Sequence, residues 1–282
     1  MMAQQSSKYI CKGPRLRASH PKGAMNRFHE LFLKPLPHLT AGKAFLLRLL
    51  MLPNLIFVRI EEGETLSSAP TGPCIFAFNH NNVIESLFVP VYLMYLLGGR
   101  KISFVVDWMF GQLPLIGRIL SHIDPVYVYH KRASLPIIER KRPQTRPDST
   151  VEQCCARLDA GIDIGIFPEG TRNHDPYRLL RGRPGIGHIV LSAGVPVVPV
   201  GIDFPVSRRL NRAPFAGRMI LRFGRAMHFS DESMLYRQLA GEKPDTEMNR
   251  LAQSVTSRVM HALSGLCGKS MCHDSECCKC IS

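Results

Sequence analysis

The order of β-rich and helical stretches predicts an α/β domain, with a twisted, largely parallel central sheet flanked by helices and a helical segment ahead of it. Three observations predict this class. Short runs rich in β-branched and aromatic residues alternate with stretches of helical period between residues 74 and 223. Those runs are continuously apolar, as strands covered on both faces are. A composition of 45% apolar and 21% charged residues over 282 positions supplies a substantial core, and excludes a disordered, collagen-like or small disulfide-stapled chain.

Residues 1–29 carry Lys8, Lys12, Arg15, Arg17, Lys22 and Arg27 with no acidic residue before Glu30, and Gly, Pro and Ser punctuate them, which predicts a basic, mobile arm. Residues 30–62 are apolar segments broken by Pro35, Pro37 and Pro53, read as short helices. The domain proper is placed at 63–263. Its strands are predicted at 74–79, 102–106, 126–129, 163–167, 197–202 and 219–223, and its helices at 85–97, 151–160 and 185–193. Met248, Leu251, Val255, Val259 and Leu263 recur at helical spacing and predict a closing amphipathic helix. A cysteine-rich tail, 264–282, is expected to be disordered. No internal repeat is visible, which excludes solenoids and propellers.

Lys and Arg number 36 against 22 Asp and Glu, a net charge of +14 that favours nucleic acid, an anionic membrane surface or small phosphorylated molecules. Aromatic content is 8% with Trp108 the single tryptophan, and no basic stripe is interleaved with stacking aromatics, so nucleic acid is set aside as a partner. No stretch approaches the roughly 20 apolar residues of a spanning helix. Residues 44–58 contain Arg48 and Pro53, yet Phe45, Leu46, Leu47, Leu49 and Leu50 suit a bilayer interface, with Lys43, Arg48 and the N-terminal basics meeting anionic headgroups. A helix simply packed on the domain fits the same residues.

Nine cysteines comprise Cys11, Cys74, Cys154 and Cys155, with Cys267, Cys272, Cys277, Cys278 and Cys280 in the last sixteen residues. This distribution, behind a basic N-terminus without an apolar signal core, reads as a reducing compartment. The tail's spacing matches neither paired zinc ligands nor a C-terminal prenylation box, and His174, His188 and His261 form no ligand pattern, so no metal is expected.

Two segments hold residues able to do chemistry, each where a predicted strand ends, the usual ligand side of a parallel α/β sheet. The first is Asn79, His80, Asn81, Asn82, Val83, Ile84, Glu85. Five residues of unbroken helix turn about 500°, roughly 140° out of phase, so His80 and Glu85 meet only if His80 precedes the helix. A meeting pair makes an imidazole base with a carboxylate orienter. Asn82 followed by Glu85 also reads as a capping box, which would give Glu85 a purely structural task, and the two readings stand side by side. The second segment runs from Phe167 through Pro168, Glu169, Gly170 and Thr171 to Arg172. Arg172 offers a planar fork for phosphate, Glu169 suits orienting that fork or a substrate hydroxyl, and N–H groups near Gly170 and Thr171 can face an anion; a tight turn with an internal ion pair is the alternative. Gly194 to Val200 is an apolar strand entered through glycine and proline.

In this order the segments resemble the glycerolipid acyltransferase family, which contains glycerol-3-phosphate and 1-acylglycerol-3-phosphate acyltransferases. Asn79, His80 and Glu85 match its first motif, residues 167–172 match its FPEGTR motif in full, and residues 195–200 look like its apolar motif with a central proline. Residues 101–119 are similar to the segment before its second motif, and 181–185, with Arg183, resemble the basic glycine element after the third. The likeness covers roughly 70–225. Glu85 stands where the family usually has aspartate, and the second motif's arginine has no clean match within 129–132.

The resemblance implies an acyltransferase domain at 63–263 that esterifies a lysophospholipid, 1-acylglycerol-3-phosphate first among them, for phospholipid synthesis. An acyl thioester needs no enzyme nucleophile, so coenzyme A or acyl carrier protein enters as co-substrate and no cofactor is expected. His80 would be the base, Glu85 its orienter, donors near Gly170 the oxyanion site, and Glu169, Gly170, Thr171, Arg172 and Arg183 the substrate-binding set. The protein would sit peripherally on the cytoplasmic face of a membrane. A different lipid-like alcohol as acceptor, or a catalytically weakened lipid-binding relative, are the alternatives.

Overall fold

The computed structural model describes residues 24–61, 70–113, 117–118, 123–129, 132–133, 136–142, 149–205, 218–242 and 245–271. Most of the basic arm, the cysteine tail beyond Met271 and much of the basic loop 130–146 lie outside the described residues. In chain order the elements are α1 (Ala24–Leu33), α2 (Ala41–Met51), α3 (Asn54–Phe57), β1 (Val58–Ile60), β2 (Ile75–Phe78), α4 (Val83–Leu96), β3 (Ile102–Asp107), α5 (Trp108–Gly111), β4 (Val126–Val128) and α6 (Pro136–Glu139). There follow α7 (Thr150–Asp159), β5 (Asp163–Ile166), β6 (Arg178–Leu179), α8 (Gly185–Ala193), β7 (Val197–Asp203), β8 (Met219–Phe223), α9 (Ser230–Glu242), α10 (Asp245–Cys267) and β9 (Ser270–Met271).

Among the described residues seven strands form one sheet in the order β1-β8-β7-β2-β5-β3-β4. Pairing is parallel except between β7 and β8, so β1 and β8 run against the other five. Strand β2 lies between β7 and β5, in register Ile75 with Val197 and with Ile164. The mixed α/β layout with a mostly parallel sheet is the class read from the sequence, and the six expected strands are present.

Alternation along β2 sends Ile75 and Ala77 to one face and Phe76 and Phe78 to the other. The first face packs on Leu158 of α7, Ile186, Ile189 and Val190 of α8 and Val255, Val259 and Leu263 of α10. The second packs on Val89 and Leu93 of α4. Truncating a side chain as enclosed as Phe76 to alanine costs about 3–5 kcal/mol. The crossing of α8 over α10 is tight, since a Cβ on Gly187 would stand 2.0 Å from the Ala252 carbonyl oxygen.

Two expected boundaries move. The segment 30–62 is not wholly helical: β1 joins the sheet edge beside β8. At the other end the tail does not begin at Ser264, because α10 runs to Cys267, which is fully buried, and Ser270 and Met271 pair with β6. The expected limits 63 and 263 therefore fall inside the folded unit. Ahead of the sheet, Leu31, Leu47 and Met51 form a small core with Tyr95 of α4. Lys34 donates to the Leu96 carbonyl at 2.9 Å and Arg48 to the Lys34 carbonyl at 3.0 Å, tying α1 and α2 to α4. No helix among the described residues is long and apolar enough to cross a membrane.

Candidate active site

Strand β2 ends where its ladder passes to a side chain. The Asn79 carboxamide donates to the Ile202 carbonyl at 2.9 Å and accepts from the Ile202 N–H at 2.7 Å, prolonging the pairing with β7 by one residue. The next residue, His80, precedes α4, whose N-cap is Asn82 in extended conformation. Asn82 Oδ1 accepts from the N–H groups of Ile84 and Glu85 at 2.9 and 3.2 Å. Glu85, at the third helical position, reaches back to the N–H of Asn82 at 3.2 Å, completing a capping box.

The same Glu85 oxygen, Oε1, lies 2.7 Å from His80 Nδ1 and also accepts from the Asn81 N–H. Capping and orienting, alternatives in the sequence, are here one arrangement. Glu85 is wholly buried, whereas the His80 side chain keeps 16% exposure. With a carboxylate on Nδ1, that nitrogen carries the proton, and Nε2 is left to accept one from outside. The ring also packs on Phe167, centroids 4.4 Å apart.

The second junction follows β5. Glu169 was expected to face substrate or Arg172. Instead it lies behind the wall, with Oε1 accepting from the His80 N–H at 2.8 Å and Oε2 from Asn173 Nδ2 at 3.0 Å and the Leu180 N–H at 2.9 Å. Burial raises its pKa, and those donors together with the Lys269 charge oppose the rise. Asn173 closes the link by donating its N–H to the His80 carbonyl at 2.8 Å. The two motifs are thus stapled together through His80's own backbone.

Gly170 sits at φ +66°, the left-handed region, and a Cβ there would come within 2.6 Å of Arg183 Cδ and Nε. Its N–H donates to the Phe167 carbonyl at 3.0 Å, closing a turn, so the oxyanion role expected there does not fit that group. The Arg183 N–H donates to the Pro168 carbonyl at 2.9 Å, laying its side chain across Gly170.

A cavity of about 1990 Å³ opens beside His80. Leu46 and Leu50 of α2, Leu87, Val91 and Met94 of α4 and Phe104 of β3 give it an apolar wall. Gly170, Thr171, Arg172 and Arg183 also line it, as do Arg118 and Arg132. The sequence left the second motif's arginine unplaced, and Arg132, from the stretch in which it was sought, lines this cavity. Also missed were Asn173, whose N–H reaches back to His80, and Lys269, whose side-chain partners Asn81 and Asp175 lie 188 and 94 residues away. Among the described residues no group of acidic, cysteine or histidine side chains could hold a metal ion.

A family model described as Acyltransferase matches residues 58–203, which span β1 to β7 and both junctions. The chain belongs to the acyltransferase family. This acyltransferase is 29% identical over 141 residues to the chloroplastic 1-acyl-sn-glycerol-3-phosphate acyltransferase BAT2 of Brassica napus, covering 50% of this chain and 36% of that one. It is 24% identical over 207 residues to the 1-acyl-sn-glycerol-3-phosphate acyltransferase of Pseudomonas aeruginosa, covering 72% and 70%. The human 1-acyl-sn-glycerol-3-phosphate acyltransferase alpha is 27% identical over 158 residues, 56% of this chain and 50% of that one. The acyltransferase therefore matches only about a third of the plant relative's length and half of the human one's. The crystal structure of a 1-acyl-sn-glycerophosphate acyltransferase from Thermotoga maritima superposes with a TM-score of 0.49 at 17% identity, over 84% of this chain and 86% of that one.

Proposed function

We propose that this acyltransferase moves a fatty acyl group from a thioester of coenzyme A or acyl carrier protein to a lysophospholipid hydroxyl, with 1-acylglycerol-3-phosphate as the preferred acceptor. One observation carries the reading: an imidazole with Nδ1 on a buried carboxylate lines a cavity whose wall combines apolar side chains with several arginines. The apolar wall suits acyl chains and the guanidinium groups suit phosphate. The relatives named above act on the same class of acceptor by their names.

In this mechanism the acceptor oxygen attacks the thioester carbonyl while its proton passes to His80 Nε2, and Glu85 stabilises the imidazolium. The tetrahedral intermediate collapses with cleavage of the C–S bond, and the departing thiolate takes the proton back from Nε2. Arg172 and Arg183 bind phosphate. Glu169 we reassign from substrate contact to holding the His80 backbone.

We also place the protein peripherally on a membrane's cytoplasmic face. Leu33, Phe45, Leu46, Leu49 and Ile56 are exposed on α1 to α3, and Leu46 belongs to the cavity wall as well, so acceptor lipid would enter from the bilayer side. Among the described residues Cys74, Cys154 and Cys155 form no disulfide, which supports a reducing compartment.

The test is purified protein with labelled acyl-CoA or acyl carrier protein and a panel of lysolipids. Ester product should form fastest on 1-acylglycerol-3-phosphate, and His80→Ala should lower kcat/KM about 10²–10⁴-fold. Undiminished turnover by that variant would reject the base assignment, and lipid binding without turnover on any acceptor would reject the transferase reading. Flotation with anionic vesicles should weaken in a Phe45→Ser, Leu49→Ser double variant; unchanged flotation would remove α2 from the membrane contact.

A further inference from the structure

Lys269 is 6% exposed although it follows the last helix by only two residues. The local sequence drives it inward. Gly268, at φ +65°, ends α10 with its N–H on the Ser264 carbonyl at 3.0 Å. Ser264 Oγ then donates to the Lys269 carbonyl at 2.6 Å, and the Ser270 N–H donates to the Tyr177 carbonyl at 2.8 Å as β9 joins β6. Held on both sides, the side chain points into the candidate site, where Nζ donates to Asn81 Oδ1 at 2.5 Å and to the Asp175 carbonyl at 2.8 Å.

Asn81 is the residue between His80 and the helix cap, and its Nδ2 donates to Glu85 Oε2 at 3.0 Å and reaches the Ile202 carbonyl at 3.4 Å. A carboxamide has one accepting oxygen and one donating nitrogen. An ammonium has only donors. Lys269 therefore requires Oδ1 to face it, which turns Nδ2 toward Glu85; the flipped amide would set two accepting oxygens against each other. Oε2 of Glu85 is satisfied in this way while Oε1 serves His80 and the cap.

We propose that Lys269 is a positioning residue of the transfer reaction, fixing the direction of the Asn81 carboxamide and, through it, the Glu85 carboxylate that holds His80. A buried ammonium is costly unless it is paired and hydrogen-bonded. The surroundings provide this: burial lowers the lysine's pKa, and Glu169, Cys267, Glu85 and Asp175 counteract the fall. The inference rests on the assignment of His80 as base.

Lys269→Met keeps the length of the apolar stem and removes the donor. It should lower kcat about tenfold or more, with KM for the acceptor within twofold, because the loss is one of alignment and not of substrate binding. Asn81→Ala should cost as much, and combining the two should cost no more than either alone. The ring of His80, identified by its absence in His80→Ala, should show a single Nδ1–H tautomer by ¹⁵N NMR in the wild type and a mixture in Lys269→Met. A folded Lys269→Met with kcat within twofold of wild type, losses that multiply in the double variant, or an unchanged tautomer would each overturn the proposal. Should Lys269→Met fail to fold, Lys269→Ala with and without added methylammonium replaces it; recovery of the tautomer by the amine supports the role and no recovery rejects it. Activity retained by His80→Ala would instead strike the base assignment, which the tautomer measurement does not presuppose.

Discussion

The two ends of β2 and β5 carry buried carboxylate networks of similar build and different capacity. At the end where β2 meets α4, Glu85 and Glu169 gather backbone and side-chain donors around His80. At the opposite end Asp163, fully buried, accepts from Arg100 Nη2 at 2.6 Å and from the Cys74 N–H at 2.9 Å, both on Oδ1. Among the described residues its Oδ2 has no partner, and burial raises its pKa. Arg100 is further held by the Pro70 and Gly72 carbonyls at 2.8 Å each. Both networks present one side chain to the same cavity, His80 or Arg100. An arginine never releases its proton near neutral pH, whereas an imidazole with one nitrogen occupied can accept one. Burial and ion pairing mark both ends, and only the residue at the wall separates chemistry from architecture.

That contrast is breakable by substitution. The largest effect should come from His80→Ala, whose loss in kcat/KM of about 10²–10⁴-fold should leave the unfolding midpoint within about 2 °C of wild type. A midpoint collapse would show that the two ends are both structural. Asp163→Ala should do the reverse, costing about 3 kcal/mol of stability, a fall of roughly 6–12 °C, by stranding Arg100 and the Cys74 N–H. Its kcat, per folded molecule, should stay within twofold; a rate loss like that of His80→Ala would dissolve the distinction.

The smallest effect concerns pH. Because the folded-state pKa of Glu169 is raised above its ordinary value near 4.5, its linkage contribution is fully present below pH 4.5 and is lost as pH rises through the folded value. Urea midpoints of wild type minus Glu169→Gln should therefore decline from pH 4 toward neutrality and then level off. A difference that grows with pH would mean that donor contacts outweigh burial at this carboxylate.

What the sequence discloses follows from distance along the chain. His80 and Glu85 are five apart, and their meeting, as well as the cap that forces it, is readable from three asparagines and a strand end. Glu169 was misassigned because two of the donors that occupy it, on His80 and Leu180, lie 89 and 11 residues away. Gly170 looked like an anion donor until its turn consumed the N–H. The reversal at β8 was illegible since direction resides in the connection and not in the strand's own residues, which read like any buried run. β1, with three residues, is too short for a period, and the end of α10 was misplaced because a lone Gly268 stops it four residues beyond the last apolar position counted.

The bond between Lys269 and Asn81 joins residues 188 positions apart. On the ribosome, Asn81 and Glu85 are made well before Lys269 and wait for it. An emerging polypeptide can lay down its first strands and helices early, but the hydrogen bond from Lys269 to Asn81 forms only after the closing helix has been translated. If that bond governs turnover as proposed, synthesis itself delays the onset of catalysis until the polypeptide has been made at least as far as this lysine.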